Sequence, residues 1–461
     1  METQPRAGFA GRLLARFVDA QPHELFALLI AFVYYFVVLT AYYILRPIRD
    51  EMAVAGGVDN IPWLWTGTLL GMLAAQPLFA VLVARFPRVR FVSYTYHFFA
   101  LNLLLFFFLL RALPEGQGIW VGRTFYVWAA IFNLYVTSVF WALVVDVFGE
   151  TQSRRLFGFI AAGGSVGAIL GSTITATLAV RLTPAALLLV SAVLLEVAVI
   201  FVYLLSSAGE AVRARGAGGS GRVAPPASDA APAGRPGEPV IGGSAWAGIT
   251  RMLRSPYLLG ICGFMLLFTI GSTFLYVQQA RIVGITFADR ALRTAFFAKV
   301  DLAVNVITLV GQIWLFSRLM RWLGMARMLA LIPALSVIGF AALAAAPTIA
   351  VLVGFNVLRR AGNFAVARPT REVLYTVLPR EDKYKAKSFV DTFVYRLGDQ
   401  IGVWGEAALG ALGLGIAGVS LVAVPLSFLW LLIAVWLGRQ QRRLAAAGLR
   451  RAVAPDMAGA V

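Results

Sequence analysis

Stretches of about twenty apolar residues, the length an α-helix needs to cross roughly 30 Å of hydrocarbon, recur along this chain from end to end. They fall near Glu24–Arg46, Pro62–Phe86, Phe91–Arg111, Gly118–Phe148, Leu156–Val180, Pro184–Ser206, Pro256–Gln279, Ala291–Phe316, Leu323–Ala345, Thr348–Ala367, Ser388–Leu412 and Gly415–Leu437. A backbone in lipid must satisfy its own hydrogen bonds, so runs of this length fold as helices. Of the 461 residues, 60% are hydrophobic and 13% charged, a balance foreign to an ordinary soluble globule. The expectation is an all-α polytopic membrane protein with twelve transmembrane helices.

A net charge of +18 would suggest nucleic acid as a partner of a soluble chain. Here the basic residues gather in alternate loops. Arg85, Arg88 and Arg90 follow the second run, Arg154 and Arg155 the fourth, and Arg318, Arg321 and Arg327 the eighth. Arg380, Lys383, Lys385 and Lys387 follow the tenth, and Arg439, Arg442, Arg443, Arg450 and Arg451 the last. The positive-inside rule places these loops and both termini in the cytoplasm, with a bacterial inner membrane as the expected location and no nucleic-acid partner. The lead before the first run lacks the ordered parts of a signal peptide, so the chain is expected to stay whole. The single Cys262 excludes an internal disulfide.

Between residues 207 and 244 the chain turns to Gly, Ala, Pro, Ser and Arg, a composition that cannot bury enough apolar surface to order itself. This predicts a six-helix bundle over residues 1–206, a disordered cytoplasmic linker over 207–244, and a second bundle with a basic tail over 245–461. Six plus six helices with both termini inside resembles the major facilitator superfamily, whose halves are pseudo-twofold parallel repeats. Shifting one half by 231 positions aligns Gly167 with Gly398, Gly171 with Gly402, Glu150 with Glu381 and Arg154 with Lys385. Gly163, Gly167 and Gly171, like Gly67 with Gly71 and Gly398 with Gly402, are spaced to let another helix approach. They read either as tight packing or as seams that slide during transport.

Ionisable groups at membrane depth are costly and point to function. At about 100° per residue, Tyr35, Tyr42, Arg46 and Arg49 share roughly a 60° sector of the first helix. That face suits an anion and a flat ring, or else an interfacial belt with snorkelling arginines. Asp301, Asn305, Thr308 and Gln312 share a similar sector of the eighth helix, facing a cavity or gluing helices together. Arg360 and Asn363, with Arg359, are expected to face a cavity on the tenth. Arg396 and Asp399 are spaced to pair, as a structural tie or as a gate. Asp146 and Glu150, beside Arg154 and Arg155, form either a salt-bridge latch or a solvated cluster. His97 reads as a structural histidine before a proton site.

These residues lie in motifs that resemble the ATP/ADP translocases, the nucleotide transporters of plastids and intracellular bacteria. Leu45-Arg46 with Arg49-Asp50 is similar to that family's Leu-Arg and Lys-Asp pattern, Phe140-Trp141 and Asp146 to its Phe-Trp and downstream glutamate, and Arg154-Arg155 to its Lys-Arg. Pro369-Thr370-Arg371-Glu372, Leu374-Tyr375 and Lys383-Tyr384-Lys385-Ala386-Lys387 resemble its Pro-Thr-Arg-Glu and Lys-Ala-Lys runs, and Asp391 and Arg396-Leu397-Gly398 continue the likeness. The family carries lysine after Arg-Leu-Gly, where this chain has Asp399. The resemblance implies a secondary transporter of an anionic solute, a nucleotide or other phosphorylated metabolite, and the polar faces and membrane-depth charges described above make Tyr35, Tyr42, Arg46, Arg49, Asp301, Asn305, Gln312, Arg360, Asn363 and Arg396 the candidate binding residues. Asp146, Glu150, Arg154 and Asp399 are the candidates for gating or coupling. A transporter of an unrelated solute, or a membrane assembly or sensor protein, remains the other reading. No metal-ligand spacing or phosphate-cradling glycine loop points to an enzyme. The expectation is a monomer in the lipid bilayer, without cofactor or metal.

Overall fold

The computed structural model describes residues 21, 23–113, 115–148, 150–217, 255–378, 387 and 389–458. Among them there is no strand. The helices are α1 (Leu25–Ala55), α2 (Ile61–Arg85), α3 (Arg88–Ala112), α4 (Glu115–Val147), α5 (Glu150–Leu178) and α6 (Pro184–Ala217), then α7 (Pro256–Thr286), α8 (Arg290–Val310), α9 (Phe316–Ala345), α10 (Ile349–Gly362), α11 (Arg368–Leu374), α12 (Tyr395–Ala411) and α13 (Ile416–Ala458). Nine described stretches are long and apolar enough to cross a membrane. Expected spans at α2, α8 and α12 are not among them: α8 carries Arg290, Arg293, Lys299 and Asp301, and α12 has 17 residues.

Boundaries shift where local chemistry allows. The sixth helix runs on to Ala217, beyond the start of the Pro/Gly-rich stretch, whose residues 218–244 lie outside the described ones. The tenth was expected to stop at Ala367, before Pro369. Instead a π-helical turn, Asn363–Ala367, precedes α11, and a 3₁₀ turn carries the helix to Val377. Proline lacks an N–H and its ring crowds the carbonyl four residues back, and the wider π turn absorbs both defects. Two more π turns, Gly311–Leu315 and Val390–Val394, follow α8 and precede α12. At Gly324 the backbone takes φ +68°, a left-handed conformation suited to glycine, and this breaks α9 at the start of the ninth expected span.

The chain packs as two units. The first takes the described residues of Met1–Gly57, Gly67–Ser228 and Phe287–Leu302, the second those of Val58–Thr66, Asp229–Thr286 and Ala303–Val461. In the first, Leu28, Ala31, Tyr34, Val38, Ala41, Leu45 and Ile48 make a fully buried stripe on α1 at helical spacing. This stripe meets α4, α5 and α6. The contact with α5 is backbone on backbone. A Cβ at Gly163 or Gly167 would enter the shell of the Phe32 or Phe36 carbonyl oxygen, and one at Gly171 would lie 2.5 Å from that of Thr40. Thr40 Oγ1 donates across the seam to the Gly167 carbonyl at 3.2 Å. Gly167→Ala is therefore expected to cost about 1–3 kcal/mol through overpacking, seen as a lower melting temperature. An unchanged melting temperature would mean that the two helices separate at no cost.

In the second unit α12 lies on α7 in the same manner. A Cβ at Gly402 would come 2.8 Å from that of Thr273, and one at Gly398 would overlap the Thr269 hydroxyl. The glycines aligned by the internal shift thus perform the same close approach, α5 on α1 and α12 on α7. The cores of this unit centre on Tyr257, Phe264, Met265 and Trp430, and on Phe274, Phe340 and Phe355.

Candidate functional site

The first unit concentrates charge near the C-terminal end of α1. Arg46 Nε lies 3.4 Å from Asp301 Oδ2, with Asp301 almost completely buried. The same guanidinium sits 5.6 Å from the centre of the Tyr43 ring, and Nη1 reaches the Tyr43 hydroxyl at 3.5 Å. Two candidate residues, 255 positions apart, therefore meet as a buried ion pair. Arg49 donates from Nε and Nη2 to Asp50 at 3.1 and 2.7 Å and covers the Tyr126 ring at 5.2 Å. Next to them Glu51, wholly buried, accepts from Arg290 Nε and Nη2 at 3.0 and 3.2 Å and from Arg293 Nη2 at 3.2 Å. Tyr42 packs edge-on against Tyr43. Tyr35 stacks on Phe140 at 4.3 Å and meets Trp141, and a Cβ on Gly164 would strike its ring, so its ring face is engaged in packing.

The polar line expected along the eighth helix does not act as one surface. Asp301 belongs with Arg46 in the first unit, while Asn305, Thr308 and Gln312 belong to the second, where Asn305 and Thr308 are half-buried. Gln312 falls in a π turn, which adds a residue to the turn and rotates it out of the α-helical register. Its Nε2 donates to the Phe364 carbonyl at 3.4 Å, joining that turn to the π turn Asn363–Ala367. Gln312, Phe364, Ala365, Arg368, Pro369 and Glu372 line a pocket of about 450 Å³. Lys387 pairs with Glu372 at 2.5 Å.

Arg360 and Asn363 are half-buried. Their neighbour Arg359 holds the deeper position. Its Nε and Nη1 donate to Ser336 and Ser272 at 3.0 and 2.8 Å, Nη2 to the Phe268 carbonyl at 3.1 Å, and Phe268 and Trp430 cover its planar faces. The signal was available: Leu352, Phe355, Asn356 and Arg359 follow three- and four-residue spacing on the buried side of α10. Asn356 bonds to Gln279 from that face, and Gln278 accepts from Ser420 at 3.2 Å. Arg396 and Asp399 pair as their spacing predicts, at 3.5 Å, with Asp399 the buried partner.

The proposed latch partners differ from those expected. Asp146 pairs with Arg88, and Arg155 and Gln152 converge on the buried carboxylate of Glu24, which is built into the N-terminal end of α1. Loop neighbours in sequence thus point to separate helices. Glu150 and Arg154 open α5, but their side chains lie outside the described ones, as do Glu381 and Lys383–Lys385. His97 faces outward and pairs with Glu196 at 2.8 Å.

The sequence profile of the Major Facilitator Superfamily matches residues 27–398. The chain belongs to the Major Facilitator Superfamily. Solved structures agree on the fold. A bacterial homologue of the iron transporter ferroportin, in an inward-facing state, is 14% identical with a TM-score of 0.59, covering 90% of this chain and 98% of its own. The nucleoside transporter NupG is 11% identical with a TM-score of 0.56, covering 92% and 99%. A peptide transporter of the POT family is 15% identical with a TM-score of 0.54, covering 90% and 97%. No curated protein matches the chain by sequence. A major facilitator protein is a multi-pass membrane protein with the fold of a small-molecule transporter, and the twelve helical passages read from hydropathy are those of this superfamily.

Proposed function

We propose that this major facilitator protein is a secondary transporter of a small organic anion, with a nucleotide or other phosphorylated metabolite as its substrate class. It works by alternating access as a monomer in a bacterial inner membrane, both termini cytoplasmic, and carries out no chemistry on its solute. The observation that carries the reading is Arg46. At membrane depth it faces Asp301 through one 3.4 Å contact, while its buried Nε makes no hydrogen bond. A guanidinium whose Nε makes no hydrogen bond keeps a donor for an oxyanion that can compete with its carboxylate. Arg49, one turn away over Tyr126, adds a second guanidinium beside an aromatic face. The motifs shared with ATP/ADP translocases support a nucleotide, as does the nucleoside cargo named for one structural neighbour. Asp399, where those translocases carry lysine, favours a solute of lower charge than ATP.

Because ligand bound only to the folded state raises stability by RT ln(1 + [L]/Kd), a melting screen over nucleotides, sugar phosphates and nucleosides identifies the class. For the ligand so found, Arg49→Gln should weaken binding by about 1.5–3 kcal/mol, the worth of one charge-assisted contact, at little cost in melting temperature. Unchanged affinity would return Arg49 to a purely interfacial role. Nucleosides binding as well as their phosphates would shift the reading to a neutral solute.

A further inference from the structure

Among its described residues, the second unit buries two arginines, Arg359 and Arg371, that no carboxylate pairs closely. The Tyr395 hydroxyl lies within electrostatic reach of Arg359, Arg371, Arg396 and Asp399. Arg396 is matched by Asp399. Arg359 has only neutral partners, two hydroxyls and a carbonyl between aromatic rings. Arg371, largely buried within the span Ile349–Val377, is the least satisfied of the three. Its Nη1 meets the Met265 thioether at 2.9 Å, its Nη2 stands 3.9 Å from an Asp391 oxygen, and its buried Nε has no hydrogen-bond partner.

The Nε and Nη2 edge of a guanidinium is the fork that grips a carboxylate or phosphate in two parallel bonds. On Arg371 that edge faces only a carboxylate at the limit of ion-pair distance. A second buried polar atom is idle nearby. The Tyr375 hydroxyl, on a residue 1% exposed, makes no hydrogen bond and lies within electrostatic reach of Arg371 and Asp391. Unmade hydrogen bonds are costly in a low-dielectric interior, so a pair of idle donors beside an excess cation is poised for an acceptor. Asp391, on the π turn Val390–Val394, is 38% exposed, so solvent can hydrate its carboxylate when an anion takes its place at Arg371.

We propose that Arg371 and the Tyr375 hydroxyl form an oxyanion subsite in which Asp391 stands as a displaceable competitor, and that the group it receives is the phosphoryl or carboxylate end of the transported solute. Its role in transport rests on the anion-transporter reading above. Its existence rests on the geometry of the second unit alone. Competition gives the two variants opposite signs. Removing the charge of Asp391 frees the fork and tightens anion binding. Replacing Arg371 by lysine keeps the charge and loses the fork.

The test is the melting temperature of the full chain in non-ionic detergent, titrated with inorganic phosphate, and separately with acetate, against chloride at equal ionic strength. Asp391→Asn should lower the half-saturating phosphate several-fold, and Arg371→Lys should raise it by about tenfold or more, the loss of one charge-assisted bond. Acetate responding with the same signs assigns a carboxylate as well as a phosphoryl ligand. Repeating the titration with added phosphatidylglycerol separates solute from lipid: a phosphate response erased by the lipid overturns the solute assignment. Asp391 is exposed enough for its asparagine variant to fold, so the test stands even if Arg371→Lys does not. Half-saturation unchanged or raised in Asp391→Asn, or no phosphate response in the wild type, overturns the subsite. If uptake of a phosphorylated solute proceeds at the wild-type rate in Arg371→Lys, the subsite fails and the transporter reading survives. If phosphate binds with the expected signs and no phosphorylated solute moves, the reverse holds.

Discussion

Asp301→Asn is expected to lower stability by about 3 kcal/mol, the scale on which breaking one side of a buried ion pair acts, and to stop transport. Asp301 is the more buried partner, and its loss leaves the Arg46 guanidinium without its ion-pair partner. The informative comparison is the double variant with Arg46→Met. Replacing both members of a buried pair is often close to neutral, because the uncompensated charge disappears with its partner. The double variant should therefore recover most of the lost melting temperature while transport stays absent. Additive losses in the cycle would show that the two side chains do not depend on each other, and transport restored in the double variant would remove Arg46 from the binding role.

Glu51→Gln should have an effect of similar size for a different reason. Glu51 is the only carboxylate in the described structure paired with both Arg290 and Arg293, and it is wholly buried under them. Glutamine preserves its shape but removes the charge from three charge-assisted hydrogen bonds, each worth about 1.5–3 kcal/mol against its unpaired state, part of which Arg290 regains from solvent because it is half-exposed. A net loss of roughly 3 kcal/mol is the expectation. Because the clamp seats Phe287–Leu302, a cysteine introduced at Ala291 in a Cys262→Ser background should react faster with a water-soluble thiol reagent once Glu51 is replaced. Equal labelling rates would show that the segment is held by its apolar contacts instead.

What sequence reasoning reached and what it missed divide along the range of the interactions. The glycine seams were legible because a helix period places Gly163, Gly167 and Gly171 on one face, and only close approach explains so many small residues there. Arg46 and Asp301 were each legible as ionisable groups inside apolar runs. Their pairing was not, since nothing local specifies which of several distant helices supplies the counter-charge. The same limit assigned Asp146 to its loop neighbours when Arg88, on another helix, takes it. Which of Arg359 and Arg360 lies deeper is a matter of phase: one residue is 100° of rotation, and the buried side of α10, traced from Leu352 and Phe355, carries Arg359. The helix running past Pro369 was hidden because a π turn, which has no compositional signature, absorbs the residue that proline would otherwise break.

The placement of Phe287–Leu302 in the first unit bears on how the protein is made. Ala295 belongs to that unit's core, and Arg290, Arg293 and Asp301 supply the partners of Glu51 and Arg46, yet all of them are synthesised after α1 to α6 and the whole of α7. At about 5–20 residues per second, Arg46 and Glu51 wait on the order of ten seconds or longer in a nascent chain that does not yet contain their partners. The six leading helices therefore enter the bilayer as an unfinished assembly, and only ribosomes that pass Leu302 release a first unit able to close its own charges.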